Sequence, residues 1–398
     1  TYDFVEMSAL SRSASSQALT PRHSRRASGL ITPPTGLRSP RSGGPDKAKG
    51  MAKSTSSSTL RKIGREPSTL SDYLKSASWA IRPSEYTPLL VGSKSMNLAR
   101  LEHLGLPDWI LTPTSVTIPN GSLKKVFRDP QNEDLQRKYR DIRGEIYAAE
   151  STDVSKCVEL RHCILDLKLP DGMANAIRGI LDELGCEDID ASLPGAWEAI
   201  KGVWASLWNE RAYLARRKMK MDSKDVDMAI LCQKIIDADY AFVIHTANPI
   251  SGDKDEIYGE IVIGLGETLV SNAPGQALGF VAKKDADPKP QLKSYPSKPF
   301  AMRGGEYIFR SDSNAEDLED FAGAGLHDSI PIVPSVEIDI DYSTEQLMTD
   351  DKFRFNLMRD VARIGMAVEQ SLDCGPQDIE GCMKDGKYYV VQARPQIL

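Results

Sequence analysis

The sequence predicts an α+β fold in two lobes, mainly helical over residues 76–227 and β-rich over 228–398, preceded by a disordered basic segment over 1–75. Three observations predict it. Within 121–226 the apolar residues recur at spacings of three and four, most plainly Trp197, Ile200, Val203, Trp204, Leu207, Trp208 and Leu214, which is the period of an amphipathic helix. From Met228 the pattern changes to short β-rich runs, 228–236, 240–246 and Glu256–Ile263, with turn residues between them. Residues 8–75, by contrast, are dominated by Ser, Arg, Pro, Gly and Thr and hold too little apolar surface to offset the entropy of folding.

Through Lys75 the chain carries 13 Lys/Arg against 5 Asp/Glu, a net of +8, whereas the whole chain carries −6, so the remainder carries −14. The basic, Ser-rich, acid-poor start has the composition of a plastid transit peptide. Thr1 is not an initiator methionine, however, and Thr1-Tyr2-Asp3-Phe4-Val5-Glu6 precedes the basic stretch, so a fragment or a processed product is expected. Arg25-Arg26-Ala27-Ser28 matches a basophilic kinase site, and Thr20-Pro21, Thr32-Pro33 and Ser39-Pro40 match proline-directed ones. Such short matches arise often by chance in Ser/Pro-rich sequence. The acidic remainder is not the footprint of a nucleic-acid binder, and no apolar run approaches a membrane span. The six cysteines form no C-x-x-C pair and no His/Cys zinc spacing, which predicts reduced thiols in an intracellular protein.

Order is expected from about Leu70. Gly92-Ser93-Lys94 precedes a helix whose apolar side carries Met96, Leu98, Leu101 and Leu104. A glycine, a lysine and a helix N-terminus together predict an anion site. Residues 110–119 read as a strand. In the helical stretch Pro194 is expected in a first turn, and the three tryptophans of the stripe are expected to pack in the core and not to form a sugar platform. Asp237-Ala238-Asp239 and the stretch from Asn248 to Asp253 read as turns, and Gly264 and Gly266 as places where backbone approaches a ligand. His245 lies inside a strand with no acid or nucleotide motif beside it, which argues against a phosphate acceptor; His23, His103, His162 and His327 are no better placed.

The stretch 307–329 holds the most chemistry. An apolar strand, Tyr307-Ile308-Phe309, runs into Arg310, then into the polar turn Ser311-Asp312-Ser313-Asn314, the acids Glu316 and Asp317 and the small run Ala322-Gly323-Ala324-Gly325. A cation at a strand end, free backbone N–H groups and glycines suit a polyphosphate. Near the C-terminus, Asp378 and Glu380 sit two apart on one strand and Gln392 and Arg394 two apart on the next, so each pair shares a face. Such oxygens suit Mg²⁺, which usually accompanies substrate phosphates. Between them Asp385-Gly386 invites a two-residue type I′ turn. That turn pairs Lys384 with Lys387 and hence Glu380 with Val391, so Glu380 and Gln392 point to opposite faces. One metal touching both therefore requires a three-residue loop, Lys384-Asp385-Gly386, with a G1 bulge. Met383 is then expected opposite Lys387, Glu380 opposite Val390 and Asp378 opposite Gln392.

These motifs carry a resemblance. Arg310-Ser311-Asp312-Ser313-Asn314-Ala315-Glu316-Asp317-Leu318, Asp378-Ile379-Glu380 and Gln392-Ala393-Arg394-Pro395-Gln396 resemble the nucleotide-binding domain of the dikinases, which has an ATP-grasp-like fold. Ser-Asp-Ser-Asn-x-Glu-Asp-Leu, Ala-Gly-Ala-Gly-Leu and Asn209-Glu210-Arg211-Ala212-Tyr213 are most similar to the α-glucan water dikinases. Ala315 replaces an expected Gly, and His327 an expected Tyr. The resemblance runs from about Tyr86 to Leu398. It implies that Lys94, Arg310 and Arg394 contact ATP phosphates, with Arg310 and Arg394 catalytic. It implies adenine beside Gln233, Lys234, Ile235 and Ile236, and nucleotide near Gly264, Gly266, Glu267 and Ser311. Glu380 and Gln392 would ligate Mg²⁺ or Mn²⁺, with Asp378 behind them. The segment 1–75 becomes an interdomain linker. The implied activity sends the β-phosphate of ATP through a phosphohistidine to starch-like α-glucan and the γ-phosphate to water. No Thr-x-x-x-His-x-x-x-x-Arg segment is visible, so the phosphohistidine domain is expected upstream, and glucan contacts on domains outside this chain. Chloroplast stroma is the implied compartment, with cytosol as alternative. Another dikinase of the family, or an ATP-sensing module without turnover, remains open.

Overall fold

The computed structural model describes residues 78–148, 154–221, 226–271, 273–316 and 325–397. The expected disordered segment, its phosphorylation motifs and the residues Asp317, Leu318, Ala322, Gly323 and Ala324 lie outside them. In chain order the described elements begin with α1 (Ser93–Leu104), β1 (Ile110–Leu111) and β2 (Ser115–Ile118). Six helices follow: α2 (Ser122–Phe127), α3 (Glu133–Ala148), α4 (Ser155–Leu165), α5 (Asp171–Glu183), α6 (Ile189–Ala205) and α7 (Glu210–Lys218). The β-rich part runs β3 (Met228–Lys234), β4 (Tyr240–His245), β5 (Glu256–Ile263), α8 (Glu267–Val270), β6 (Leu278–Lys283), β7 (Gln291–Ser294), β8 (Phe300–Arg303), β9 (Tyr307–Ser313), β10 (Ile330–Pro331) and β11 (Val336–Asp339). The chain closes with α9 (Gln346–Thr349), α10 (Asp351–Leu372), β12 (Gln377–Lys384) and β13 (Lys387–Pro395).

The strands make a four-stranded sheet, β10-β9-β3-β2, a seven-stranded sheet, β1-β13-β12-β4-β5-β6-β7, and the ribbon β11-β8. Strand alternation sorts the side chains onto two cores. Ile230, Cys232, Tyr307 and Phe309 of the four-stranded sheet pack with Trp197, Ile200 and Trp204 of α6 and with Ile177 and Ile180 of α5. Ile244, Ile257, Phe280 and Ile379 of the seven-stranded sheet pack with Val361, Ile364 and Val368 of α10. Both cores draw on either side of residue 227. Leu101 of α1 and Ile110 of β1 join the second core, while β3 and β9 complete the first.

The tryptophans Trp197, Trp204 and Trp208 are buried, as their spacing predicts. Pro194 is a correction: α6 begins at Ile189, where Asp188 caps it by accepting from Ala191 N at 3.1 Å, and the proline lies inside the helix. The cap, and not the proline, sets the start.

The β12–β13 hairpin is a second correction. Lys384 pairs with Lys387, so the turn has two residues, and both central ones have positive φ, Asp385 at 50° and Gly386 at 73°. That is the type I′ signature. The expected three-residue loop is absent, yet the ladder slips farther along: Gly381 pairs with Val390, and Glu380 with Gln392. Val391 is the extra residue of a β-bulge. Asp378 faces Arg394 instead of Gln392, and Glu380 faces Gln392 instead of Val390. The parity change that turn chemistry could not supply is made by the bulge, so Glu380 and Gln392 share a face after all. At the slip, a Cβ on Gly381 would lie 2.3 Å from the Phe242 ring and 2.6 Å from the Tyr389 carbonyl, so only glycine fits there.

Candidate functional site

A cleft of about 950 Å³ lies between the two large sheets. On one side stand Gln233 and Lys234 of β3 and Ile308, Arg310 and Ser311 of β9. On the other stand Ala241 and Val243 of β4, Glu380 and Cys382 of β12, and Val391, Gln392 and Arg394 of β13. One end is apolar, closed by Ile235, Ile236, Leu265 and Met302, with Gly266 and Glu267 beside them. The other end is charged and contains Lys94, Arg310, Glu316, His327 and Arg394. An apolar slot ending in cations fits a flat base joined to phosphates.

Most of the residues singled out from the sequence line this one cleft. Gly264 and Asp378 do not. A Cβ on Gly264 would lie 2.4 Å from the Met302 carbonyl and its φ is +77°, so this glycine is needed for packing against β8. Asp378 stands behind Arg394, accepting from its Nε at 2.9 Å and its Nη2 at 2.7 Å through one carboxylate oxygen.

Arg310 spans the cleft. Its Nη2 donates to Glu380 Oε2 at 3.2 Å and to Gln392 Oε1 at 2.6 Å. Its Nη1 donates to the Val391 carbonyl at 3.1 Å and to Gln233 Oε1 at 3.3 Å. The bulge thus does two things. It swings Gln392 beside Glu380, and it leaves the Val391 carbonyl outside the ladder, where Arg310 takes it. Two oxygens converging on one cationic nitrogen form a set that a small hard cation also fits. Among the described residues no three His, Cys, Asp or Glu side chains cluster for a metal. Such a cation would therefore take its remaining ligands from water and substrate, as Mg²⁺ usually does.

The Lys94 corner departs from expectation. Asp312, wholly buried, accepts from Gly92 N at 2.9 Å and Lys94 N at 3.0 Å. The N-terminus of α1 is thus occupied by the protein's own carboxylate, and the expected external anion is displaced from the helix end. A Cβ on Gly92 would meet Asp312 Oδ1 at 2.5 Å, so that glycine serves the cap. Lys94 Nζ instead reaches Glu316 at 2.7 Å. Ser311 Oγ and Ser313 N also donate to Glu316, at 3.0 and 3.1 Å. Burial pushes the Glu316 carboxyl up, but Lys94, His327 and these hydrogen bonds outweigh it and hold it below the usual carboxylate range. For Asp312 burial wins, and its carboxyl lies above that range. His327, also buried, places Nδ1 3.2 Å from the Ser206 carbonyl, which makes Nδ1 the donor, and burial pulls its imidazole down. Sequence reasoning missed Asp312, the Val391 carbonyl and His327 as parts of the site. Only the alternation of Arg310 and Asp312 along β9 hinted at the first.

His245 requires a correction as well. It has an acid beside it: Asp378 is its ladder partner, with Nδ1 and Oδ1 3.8 Å apart. Arg394, Asp378, His245 and Tyr258 oppose one another across β13, β12, β4 and β5, forming one polar row that starts at the cleft.

Residues 193–397 match the family described as pyruvate phosphate dikinase, AMP/ATP-binding domain. Over 324 residues the chain is 44% identical to an α-glucan water dikinase of Citrus reticulata, named chloroplastic, covering 80% of this chain and 22% of that protein. The corresponding protein of Solanum tuberosum is 45% identical over 324 residues, with the same coverage of 80% and 22%. A probable phosphoenolpyruvate synthase of Methanocaldococcus jannaschii is 24% identical over 361 residues, 82% of this chain and 27% of that protein. The chain thus spans about 22% of the length of the two glucan dikinases.

Proposed function

Because the chain belongs to the pyruvate phosphate dikinase AMP/ATP-binding domain family, we propose that it is the ATP-binding part of a plastid α-glucan water dikinase. The whole enzyme passes the β-phosphate of ATP through a histidine on another domain to glucosyl residues of starch-like glucan. It gives the γ-phosphate to water, leaving AMP and orthophosphate. The observation that carries the reading is Arg310, which joins the two sheets at the charged end of a base-sized slot.

In this reading Gln233, Lys234, Ile235 and Ile236 hold the adenine, with Gly266 and Glu267 closing over the nucleoside. Lys94, Arg310 and Arg394 grip the phosphates and spread the charge that develops as they part. Lysine has three donors, so Lys94 keeps Glu316 while offering others. Glu380 and Gln392, the oxygens that Arg310 now engages, would hold Mg²⁺ or Mn²⁺ once Arg310 turns to phosphate. Asp378 acts through Arg394, fixing its orientation. The bound metal supplies a Lewis acid that neutralises phosphate oxygens.

The test is a titration of ATP with and without Mg²⁺. Affinity is expected to fall about 100-fold or more in an Arg310→Ala plus Arg394→Ala variant, since each charged hydrogen bond is worth roughly 1.5–3 kcal/mol. Unchanged affinity in a folded double variant overturns the site.

A further inference from the structure

A second cavity, of about 40 Å³, lies in the helical part of the molecule. Lys124, Tyr139, Arg143, Trp208, Arg216 and Asp227 line it. At roughly 10–15 Å³ per water, it has room for a few small atoms. Its charge balance is unusual. The described lining carries three cations and one carboxylate, and that carboxylate, Asp227, is engaged by Lys124 at 2.7 Å.

Arg216 is the informative residue. It is 4% exposed. Its Nη2 donates to the Leu207 carbonyl, and its guanidinium carbon lies 5.7 Å from the centre of the Trp208 ring. Nε and Nη1 are buried with no hydrogen-bond partner, and no ion pair to Arg216 exists among the described residues. Burial accordingly weakens its hold on its proton. A buried guanidinium with two nitrogens unsatisfied and no counter-charge among the described residues is costly, and a cationic group of this kind is normally paired. Tyr139 adds a further donor: its oxygen accepts from Trp208 Nε1 at 3.0 Å, and burial pushes its hydroxyl up to about 12, so it keeps its proton. Donors thus surround the cavity from α2, α3 and α7, and the missing partner is an acceptor carrying negative charge.

We propose that this cavity binds a small tetrahedral oxyanion, of the class of orthophosphate and sulfate, held by Arg216 with Arg143, Lys124 and Tyr139. An oxyanion suits it better than a halide, because donors converging from several elements match several acceptor oxygens. The cavity shares no lining residue with the ATP cleft, so the inference stands apart from the proposed reaction. Orthophosphate is nevertheless the member of the class which that reaction releases.

Two measurements test it. Crystals of the chain soaked in selenate are expected to show an anomalous peak within hydrogen-bond distance of Arg216 Nε or Nη1. In solution, the cleft is first silenced with Arg310→Ala and Arg394→Ala. Sulfate is then expected to raise Tm above chloride at matched ionic strength, and Arg216→Met to abolish that part of the rise. Should the Arg216 variant fail to fold, Arg143→Met gives the same readout. A sulfate shift of equal size with and without the cavity substitution overturns the proposal. Density for water alone, for a carboxylate of the chain itself, or for bromide where selenate fails to bind also overturns it.

Discussion

The two cationic walls of the cleft are built from the same chemistry at different depths. At the Lys94 corner, Asp312 and Glu316 are buried, and both are held by several donors from neighbouring backbone and side chains. At the Arg310–Arg394 wall, the acids are Glu380, with 30% of its side chain exposed, and Asp378, with 16%. The corner is part of the packing that seats α1 against β9. The wall is a set of pairs that water reaches and that a ligand can replace. An arginine proposed to trade a carboxylate for phosphate belongs at the second, where breaking the pair leaves less unsatisfied.

The sharpest way to break this contrast is at Asp312. Asp312→Ala strands the buried N–H of Gly92 and the partly buried N–H of Lys94. The expected loss is about 3 kcal/mol, from roughly 1–3 kcal/mol for each buried donor left unpaired. Glu380→Ala, at the wall, is expected to cost under about 1 kcal/mol of stability. Denaturant midpoints measure both. Equal losses for the two variants would mean that depth does not separate the walls.

A smaller effect sharpens the comparison within the corner. The Glu316 carboxyl lies below its ordinary value and the Asp312 carboxyl above its own. The two therefore link to pH with opposite sign. Glu316 contributes stability that is present above its unfolded value of about 4.3 and is lost as pH falls through its folded value. Asp312 binds its proton more readily when folded, so its contribution declines as pH rises toward its folded value. Urea midpoints taken across the acid range are expected to fall less steeply with acid in Glu316→Gln, and more steeply in Asp312→Asn, than in the parent chain. Parallel curves would remove the opposed linkage.

The β-rich half and the cleft residues were legible because alternation is local. Arg310, Glu380, Gln392 and Arg394 announce their faces through period two, and the strands Met228–Lys234 and Glu256–Ile263 through composition. What escaped depends on long-range registry. Nothing near Asp312 in sequence shows that it caps a helix 220 positions earlier. Nothing near Asp385-Gly386 shows that the parity change lies at Val391, because the bulge is set where Gly381 meets Phe242 on the adjacent strand. Turn chemistry correctly specified the turn and misled only when the ladder beyond it was assumed unbroken. His245 was judged by its sequence neighbours, whereas its acid arrives from β12.

That row supplies the smallest effect, and the one that asks whether the exchangeable wall is itself held in place. Asp378 gives one carboxylate oxygen to Arg394 and turns the other toward His245, whose Nδ1 is buried without a hydrogen-bond partner. At 3.8 Å the contact is too long for a hydrogen bond, so the effect of His245 on Asp378 is expected to be small. His245→Phe keeps the stacking on Tyr258, whose ring centre lies 6.3 Å away, and removes the polar nitrogen. His245→Asn keeps a nitrogen close to the Nδ1 position. The phenylalanine variant is expected to bind ATP about 3-fold more weakly, in the range of roughly 0.2–1 kcal/mol for a partly exposed pair. It should bind AMP as before, because Arg394 is proposed to grip the β- and γ-phosphates, which AMP lacks; the asparagine variant should match the parent chain for both nucleotides. Loss of AMP affinity would signal a general disturbance of β4, and parental ATP affinity in His245→Phe would show that Arg394 is oriented without His245.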